Sequence, residues 1–301
     1  MEDLRNIQFE PLKPVKNKTK DVPYKVTKWF VFAIFVVYAI TLLFPFIFML
    51  VNSFKTTTGF NSNPFGWPEQ FDGLNFIEVL MYEVEGQTVL SMIFWSFLLT
   101  IVGTFINVFL SSCAAYVLAK YKFIGRNVIY GLAIFTMIVP IVGTLPSQVV
   151  MMETFGFNQI PFIGEFIGVI FLYSGCFGFN FILLYSAFSS ISNSYAEAAS
   201  LDGAGRFKTF FKVVLPMAKG PIIACSILQA IAYWNDYSTP RLFMPNTMTL
   251  AVGLYKLQSS LSGDYPMMFA SMLVAIFPVL ILYLCFQKRI IESTNAGGLK
   301  G

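Results

Sequence analysis

Hydrophobic positions in this chain gather into long runs without charge, separated by short polar segments. Trp29 to Thr56 is interrupted only by Lys55. Gly86 to Ala119, Asn127 to Met152, Phe166 to Ala196, Gly220 to Asn235 and Met267 to Gln287 carry no Asp, Glu, Lys or Arg. A helix rises about 1.5 Å per residue, so crossing the hydrocarbon takes about 20 apolar residues. Five of the six runs reach that length. Gly220 to Asn235 has 16 residues and covers about 24 Å, so it extends through its flanks or ends in irregular backbone. The pattern predicts an all-α polytopic membrane protein with six transmembrane helices. They are expected at 29–51, 89–119, 127–150, 164–189, 218–237 and 267–287, with a loop at 52–88, a polar loop at 190–217, and tails at 1–28 and 288–301.

Composition agrees. The chain has 301 residues, 56% hydrophobic and 12% charged, about half the charge of a soluble domain. The position of the charges adds orientation. Seven Lys+Arg lie in 1–28, three in 120–126, four in 189–219 and three in 287–301, so 17 of the 20 fall on one side of a six-span topology. Nine of the 16 acids, among them Glu69, Asp72, Glu165 and Asp264, fall on the other. Positive charge marks cytoplasmic loops, which puts both termini and the 190–217 loop in the cytoplasm and the 52–88 loop outside. The net charge of +4 therefore describes orientation and does not point to nucleic acid. Residues 1–28 are too long and mixed in charge for a signal n-region, so a solvated tail followed by a retained span is expected.

Several chemistries are excluded. There is no histidine, hence no His-based metal site and no Ser-His or Cys-His catalysis. Cys113, Cys176, Cys225 and Cys285 all lie in apolar runs without a C-x-x-C pair and read as small fillers. No metal-binding cluster, P-loop or GxGxxG is present, so no cofactor is expected and the chain has no means of hydrolysing a nucleotide. The spans hold no ionisable group at mid-depth, which argues against an ion-coupled secondary transporter. That alternative stays open, because carbonyls and hydroxyls also bind sodium.

The most polar stretch in the second half is Glu197 to Pro216, EAASLDGAGRFKTFFKVVLP. Ser194 and Glu197 have capping-box spacing, which predicts a helix start. Gly203 and Gly205 break that helix. Phe207, Phe210, Phe211 and Val214 then recur at i, i+3, i+4, i+7, an apolar stripe on a second short helix that Pro216 stops. The product is a helix–turn–helix at the membrane surface, either resting in the headgroups or docking a partner. Asp202 serves equally as a cap for the second helix or as a partner contact.

This stretch resembles the cytoplasmic coupling signature of ABC-importer permeases, E-A-A, three residues, G, nine residues, I-x-L-P. Glu197, Ala198, Ala199, Gly203, Leu215 and Pro216 match at full spacing, and Val213 replaces the Ile. Where the family often has I-P-x-E-L-x, this chain has Ile191-Ser192-Asn193-Ser194-Tyr195-Ala196. AAYVLAKYKFIGR (114–126), YWNDYSTP (233–240) and NAGGLKG (295–301) resemble motifs of the carbohydrate-uptake branch, in which the second, smaller permease of maltose-type transporters is the nearest general likeness.

The resemblance implies a type I ABC-importer permease fold in a bacterial or archaeal plasma membrane. It implies a second, non-identical permease, two cytoplasmic ATPase subunits that bind the ATP, an extracytoplasmic sugar-binding protein, and a carbohydrate or related solute such as glycerol 3-phosphate. It assigns ATPase coupling to Glu197, Ala198, Ala199, Asp202, Gly203, Gly205, Leu215 and Pro216. Tyr233, Trp234, Asn235 and Asp236 combine aromatic faces with hydrogen-bonding groups and are the substrate-path candidates, with a structural turn as the other reading. Loops 52–88 and 238–266 either meet the binding protein or are merely solvated.

Overall fold

A computed structural model describes residues 21–138 and 141–297. Most of the expected N-terminal tail, Pro140 and the last four residues of the C-terminal tail lie outside the described residues. The chain divides into two compact units, 1–48 and 49–301. The first contributes most of α1 (Asp21–Asn52). Its apolar side chains, Trp29, Phe35 and Leu43 among them, are exposed around the whole helix. A helix hydrophobic on every side suits lipid or another chain, not water.

The second unit opens with α2 (Thr57–Ser62), α3 (Leu74–Met81) and a hairpin of β1 (Glu83–Val84) and β2 (Gln87–Thr88). Glu83 pairs with Thr88. Glu85 (φ 51°) and Gly86 (φ 77°) make the tight turn. Then come α4 (Val89–Lys120), α5 (Arg126–Ile138), a 3₁₀ turn (Ile141–Thr144), α6 (Leu145–Thr154), α7 (Ile163–Tyr173), α8 (Phe179–Ser190) and α9 (Ser194–Leu201). Next, α10 (Arg206–Thr209) runs through a π turn (Phe210–Val214) into α11 (Leu215–Met217) and α12 (Lys219–Trp234). The chain closes with α13 (Ser238–Phe243), α14 (Leu250–Ser260) and α15 (Tyr265–Gly297).

Three described helices are long and apolar enough to cross a bilayer, within α1, α4 and α15. A fourth span results if Arg206–Met217 and Lys219–Trp234, bent by 78°, count as one. The charge pattern predicts six, and the difference lies in two runs. In the 127–150 run, Ile141–Thr144 is a 3₁₀ turn that separates α5 from α6. The 164–189 run is two helices, α7 and α8, joined by residues 174–178 with Gly178 at φ 141°. Absence of charge says nothing about continuity, and glycines at 175 and 178 let the backbone turn. The first helix also begins at Asp21, ahead of the expected Trp29, and α15 continues through the expected tail to Gly297.

The centre of the unit is α4, whose buried face (Val89, Met92, Leu99, Gly103, Val108, Ala115) touches all three core clusters or the helices that form them. One cluster joins α3, α4, α12, α14 and α15 through Val79, Met92, Trp234, Leu257 and Ala270. A second, at the 190–217 end, joins Tyr116, Phe181, Phe188, Phe210 and Val214. The third packs Leu99, Met152, Val169, Tyr173 and Phe243. Gly103 is required by close approach, because a Cβ there would lie 2.9 Å from Tyr173 Cδ2 and 3.2 Å from Tyr233 Cδ2.

At the opposite end, irregular backbone is stitched down by side chains. Lys55 is buried and donates to the carbonyls of Asn63 (2.8 Å) and Pro64 (3.2 Å). Burial holds its pKa below the ordinary lysine value. Glu165, one of the acids counted on the non-cytoplasmic side, is 2% exposed. It accepts from the Asn246 backbone (3.1 Å) and amide and from the Thr247 hydroxyl (3.2 Å). Gln87 accepts from Met248 N at 3.0 Å, and Ser96 from Leu250 N at 2.7 Å. Segment 246–250 is thereby tied to three separate elements, which answers the accounting that buried N–H groups demand.

Candidate functional site: a helical hairpin at one end of the bundle

Residues 191–217 form the helix–turn–helix that the spacing predicts, with local corrections. The N-cap position of α9 is Asn193, and Ser194 is already helical. Ala196 N and Glu197 N bond the Asn193 carbonyl at 2.9 and 3.0 Å. The expected capping box does not form. The Ser194 hydroxyl pairs with Ser192 at 2.8 Å, and Asn193 Oδ1 accepts from Lys120 Nζ at 3.1 Å. Lys120 also donates to the Ile191 carbonyl. One lysine at the end of α4 thus holds the entry to the hairpin, a role the sequence hides because Lys120 looks like ordinary positive-inside charge.

The turn follows from glycine. Gly203 sits at φ 76°, and Gly205, extended at φ −69° and ψ 165°, occupies the N-cap position of α10. Gly203 N reaches Ser200 O at 3.1 Å and Ala204 N reaches Ala199 O at 2.9 Å, satisfying the last carbonyls of α9. Asp202 is the C-cap residue of α9, so it does not cap the second helix.

The phenylalanine stripe is also re-registered. Phe210 and Val214 are 5% and 1% exposed, whereas Phe207 is 83% exposed and Phe211 lies at the rim. The π turn over Phe210–Val214 puts more residues into each turn and so breaks the 3.6-residue period just before Pro216, which has no N–H to give. Phe210 packs 4.6 Å from Tyr116 and 6.4 Å from Phe188, centroid to centroid. Phe211 stacks on Phe109 at 6.2 Å. Arg206 lies 5.6 Å over Tyr121. Burial of Phe210 alone is worth about 1.5–3 kcal/mol. The hairpin is therefore anchored at its base, while Glu197, Ala198, Asp202, Leu201 and Phe207 remain exposed. Exposed Leu201 and Phe207 beside two carboxylates make a surface suited to a protein partner.

Residues 107–288, three fifths of the chain, match the family described as binding-protein-dependent transport system inner membrane component. The chain belongs to that family. It is 30% identical over 277 residues to the arabinooligosaccharides transport system permease protein of Bacillus subtilis, covering 89% of this chain and 94% of that one. It is 28% identical over 271 residues to the diacetylchitobiose uptake system permease protein of Streptomyces coelicolor, covering 88% and 86%. Among solved structures, a bacterial ABC transporter involved in import of the acidic polysaccharide alginate matches with a TM-score of 0.71, 25% identity, and coverage of 90% and 97%. Relatives of this kind are membrane transport subunits of sugar ABC importers, not enzymes.

Within this permease the four substrate-path candidates separate. Tyr233 stacks on Tyr173 with centroids 3.8 Å apart and rings 5° from parallel, and its hydroxyl donates to Tyr173 O at 3.1 Å. Tyr173 donates to Asp236 Oδ2 at 2.7 Å, and Asp236 Oδ1 accepts from Thr239 N at 3.1 Å. Trp234 is buried and donates to Ala275 O at 3.2 Å. Asn235 is exposed and bonds back to Ile231 O at 2.8 Å.

Sequence reasoning missed an amide cluster in the adjoining helices. Asn180 Nδ2 donates to Asn107 Oδ1 (2.9 Å) and to Gln229 Oε1 (2.7 Å). Asn107 Nδ2 donates to the carbonyls of Tyr173 (3.0 Å) and Gly175 (2.9 Å). Uncharged amides drop out of a charge count. The available signal was three lone amides inside apolar runs, where they bond across helices.

Proposed function

We propose that this chain is one of two non-identical permease subunits of an ATP-driven importer of carbohydrates. In this reading α7 and α8 are halves of one span, as are α5 and α6. The bundle crosses a bacterial plasma membrane six times with both termini inside. The hairpin over 194–216 docks on an ATPase subunit that supplies the ATP chemistry. An external binding protein delivers sugar to the opposite end.

The observation that carries the reading is the anchored yet exposed hairpin. A lever must be rigid at its base and open at its tip. Lys120 and Phe210 fix the base, and the tip bears the E-A-A-x₃-G pattern. Glu197 offers a charge-assisted contact to a cationic groove. The oligosaccharide systems named for the relatives supply the substrate class.

The test is reconstitution with the cognate ATPase, second permease and binding protein in liposomes. ATP-dependent sugar uptake is expected. Glu197→Lys should leave the subunit in the membrane and separate ATP hydrolysis from uptake. Accumulation by this chain alone on an ion gradient, without ATPase, sinks the proposal. A cysteine at position 204, in a background lacking the four native cysteines, should react with impermeant maleimide only from the cytoplasmic side.

A further inference from the structure

Residues from α4, α8, α12 and the α7–α8 connection line a half-open cavity of about 280 Å³ beside the amide cluster. Its lining includes Asn107, Ser111, Phe177, Phe179, Asn180 and Gln229. At ~30 Å³ of liquid per water, the space equals about nine waters, room for a ring-sized solute and far more than a dehydrated ion needs. Amides that serve only as interhelical glue bond each other and close the gap between helices. Here the amides bond each other and the gap stays open.

The donor inventory divides the cluster into two kinds of group. Asn180 uses both its N–H groups, on Asn107 and Gln229. Asn107 uses its amide nitrogen on the α7–α8 break and its carbonyl on Asn180. Both are spoken for. Gln229 commits its carbonyl to Asn180 and one donor to the Tyr233 hydroxyl, which leaves one N–H, and the Ser111 hydroxyl can donate and accept. Phe177 and Phe179 add aromatic rings to the lining. Hydroxyl-bonding groups, aromatic rings and no charged side chain suit a neutral polyol ring. An anionic sugar would lie there without a cation, at heavy cost.

We propose that this cavity is a recognition subsite for one ring of a neutral saccharide. Gln229 and Ser111 contact its hydroxyls, and Asn180 and Asn107 act as positioning residues that hold Gln229 in place. The proposal rests on the importer reading and adds a site and a charge preference to it.

The experiment uses the complete transporter in liposomes, with ATP-driven uptake of radiolabelled diacetylchitobiose, arabinobiose and the acidic disaccharide digalacturonate. The wild type should take up a neutral probe in preference to digalacturonate. Gln229→Leu should raise KM for that probe about tenfold, the scale of a lost buried hydrogen bond, while maximal rate and stimulated ATPase activity change little. Gln229→Asn should recover part of the loss. In a cysteine-free background, Ser111→Cys should react with a small methanethiosulfonate and be protected by the transported sugar. An assembled Gln229→Leu transporter with unaltered KM and probe preference overturns the subsite and leaves the importer reading standing. So does Ser111→Cys labelling at the same rate with and without sugar, or a wild type that takes up digalacturonate best. If Gln229→Leu fails to assemble, Ser111→Cys protection decides. ATP-independent behaviour of the wild type removes both proposals.

Discussion

Asn107, midway along α4, donates its side-chain amide to the main-chain oxygen of Tyr173, 3.0 Å away at the end of α7. A second bond from the same nitrogen reaches Gly175 O at 2.9 Å. Non-helical backbone inside a packed protein needs partners for its polar groups, and one amide supplies them for two carbonyls at the break between α7 and α8. Asn107→Leu, similar in size and without a donor, is therefore expected to cost about 1–3 kcal/mol. Thermal unfolding of the purified complex in detergent measures it, and an unmoved midpoint would show that water or lipid headgroups replace the bond at no cost.

The Tyr173–Tyr233 stack leaves no room for a side chain at position 103. Gly103→Ala brings a methyl to 2.9 Å from Tyr173 Cδ2. Overpacking of this kind costs about 1–3 kcal/mol. Lower assembled yield and altered tyrosine fluorescence are expected, with Gly103→Leu worse than Gly103→Ala. Equal yields for both would mean that α4 can move away from the stack.

Phe207 and Phe210 separate two functions that share one sequence stripe. Phe210→Ala removes a buried ring and should destabilise by about 3–5 kcal/mol. Phe207→Ala removes an 83% exposed ring and should leave unfolding within about 0.5 kcal/mol. The exposed ring should matter instead for ATPase association, read by pull-down of the ATPase on the solubilised permease. A large loss of stability for Phe207→Ala contradicts the assignment.

Gly203 tests backbone geometry apart from side-chain contact. At φ 76°, with open space around it, the position penalises any Cβ through backbone strain and not through collision. Asn tolerates the left-handed region better than a β-branched residue does, a difference on the order of 1–2 kcal/mol. Coupled ATPase activity should fall in the order Gly, Asn, Val. Full coupling in Gly203→Val would mean that the turn does not have to keep this conformation.

How much of this was legible in the sequence depends on which physical effect set each feature. Charge-free runs located α1, α4 and α15 because solvation alone dictates them. The same signal passed over the 3₁₀ turn at 141–144 and the break at 174–178, the second of which is decided by glycine and by hydrogen bonds from Asn107, far away in sequence. The glycine turn at 203–205 was readable, since φ > 0 is a local requirement. The Ser194 capping box was not realised, because Lys120 engages Asn193 from another helix. The burial of Glu165 against Asn246 and Thr247 had no signal in the sequence, because both partners lie about 80 residues away.

The π turn at Phe210–Val214 has a consequence for length. A helix advances about 100° per residue, so each residue inserted or removed there re-aims everything beyond it by more than a quarter circle. Deleting one residue between Phe210 and Val214 would yield a more regular helix, better by every local propensity, whose anchored and exposed faces no longer correspond. In this segment the number of residues sets direction, and a shorter, tidier version of the chain would point its tip the wrong way.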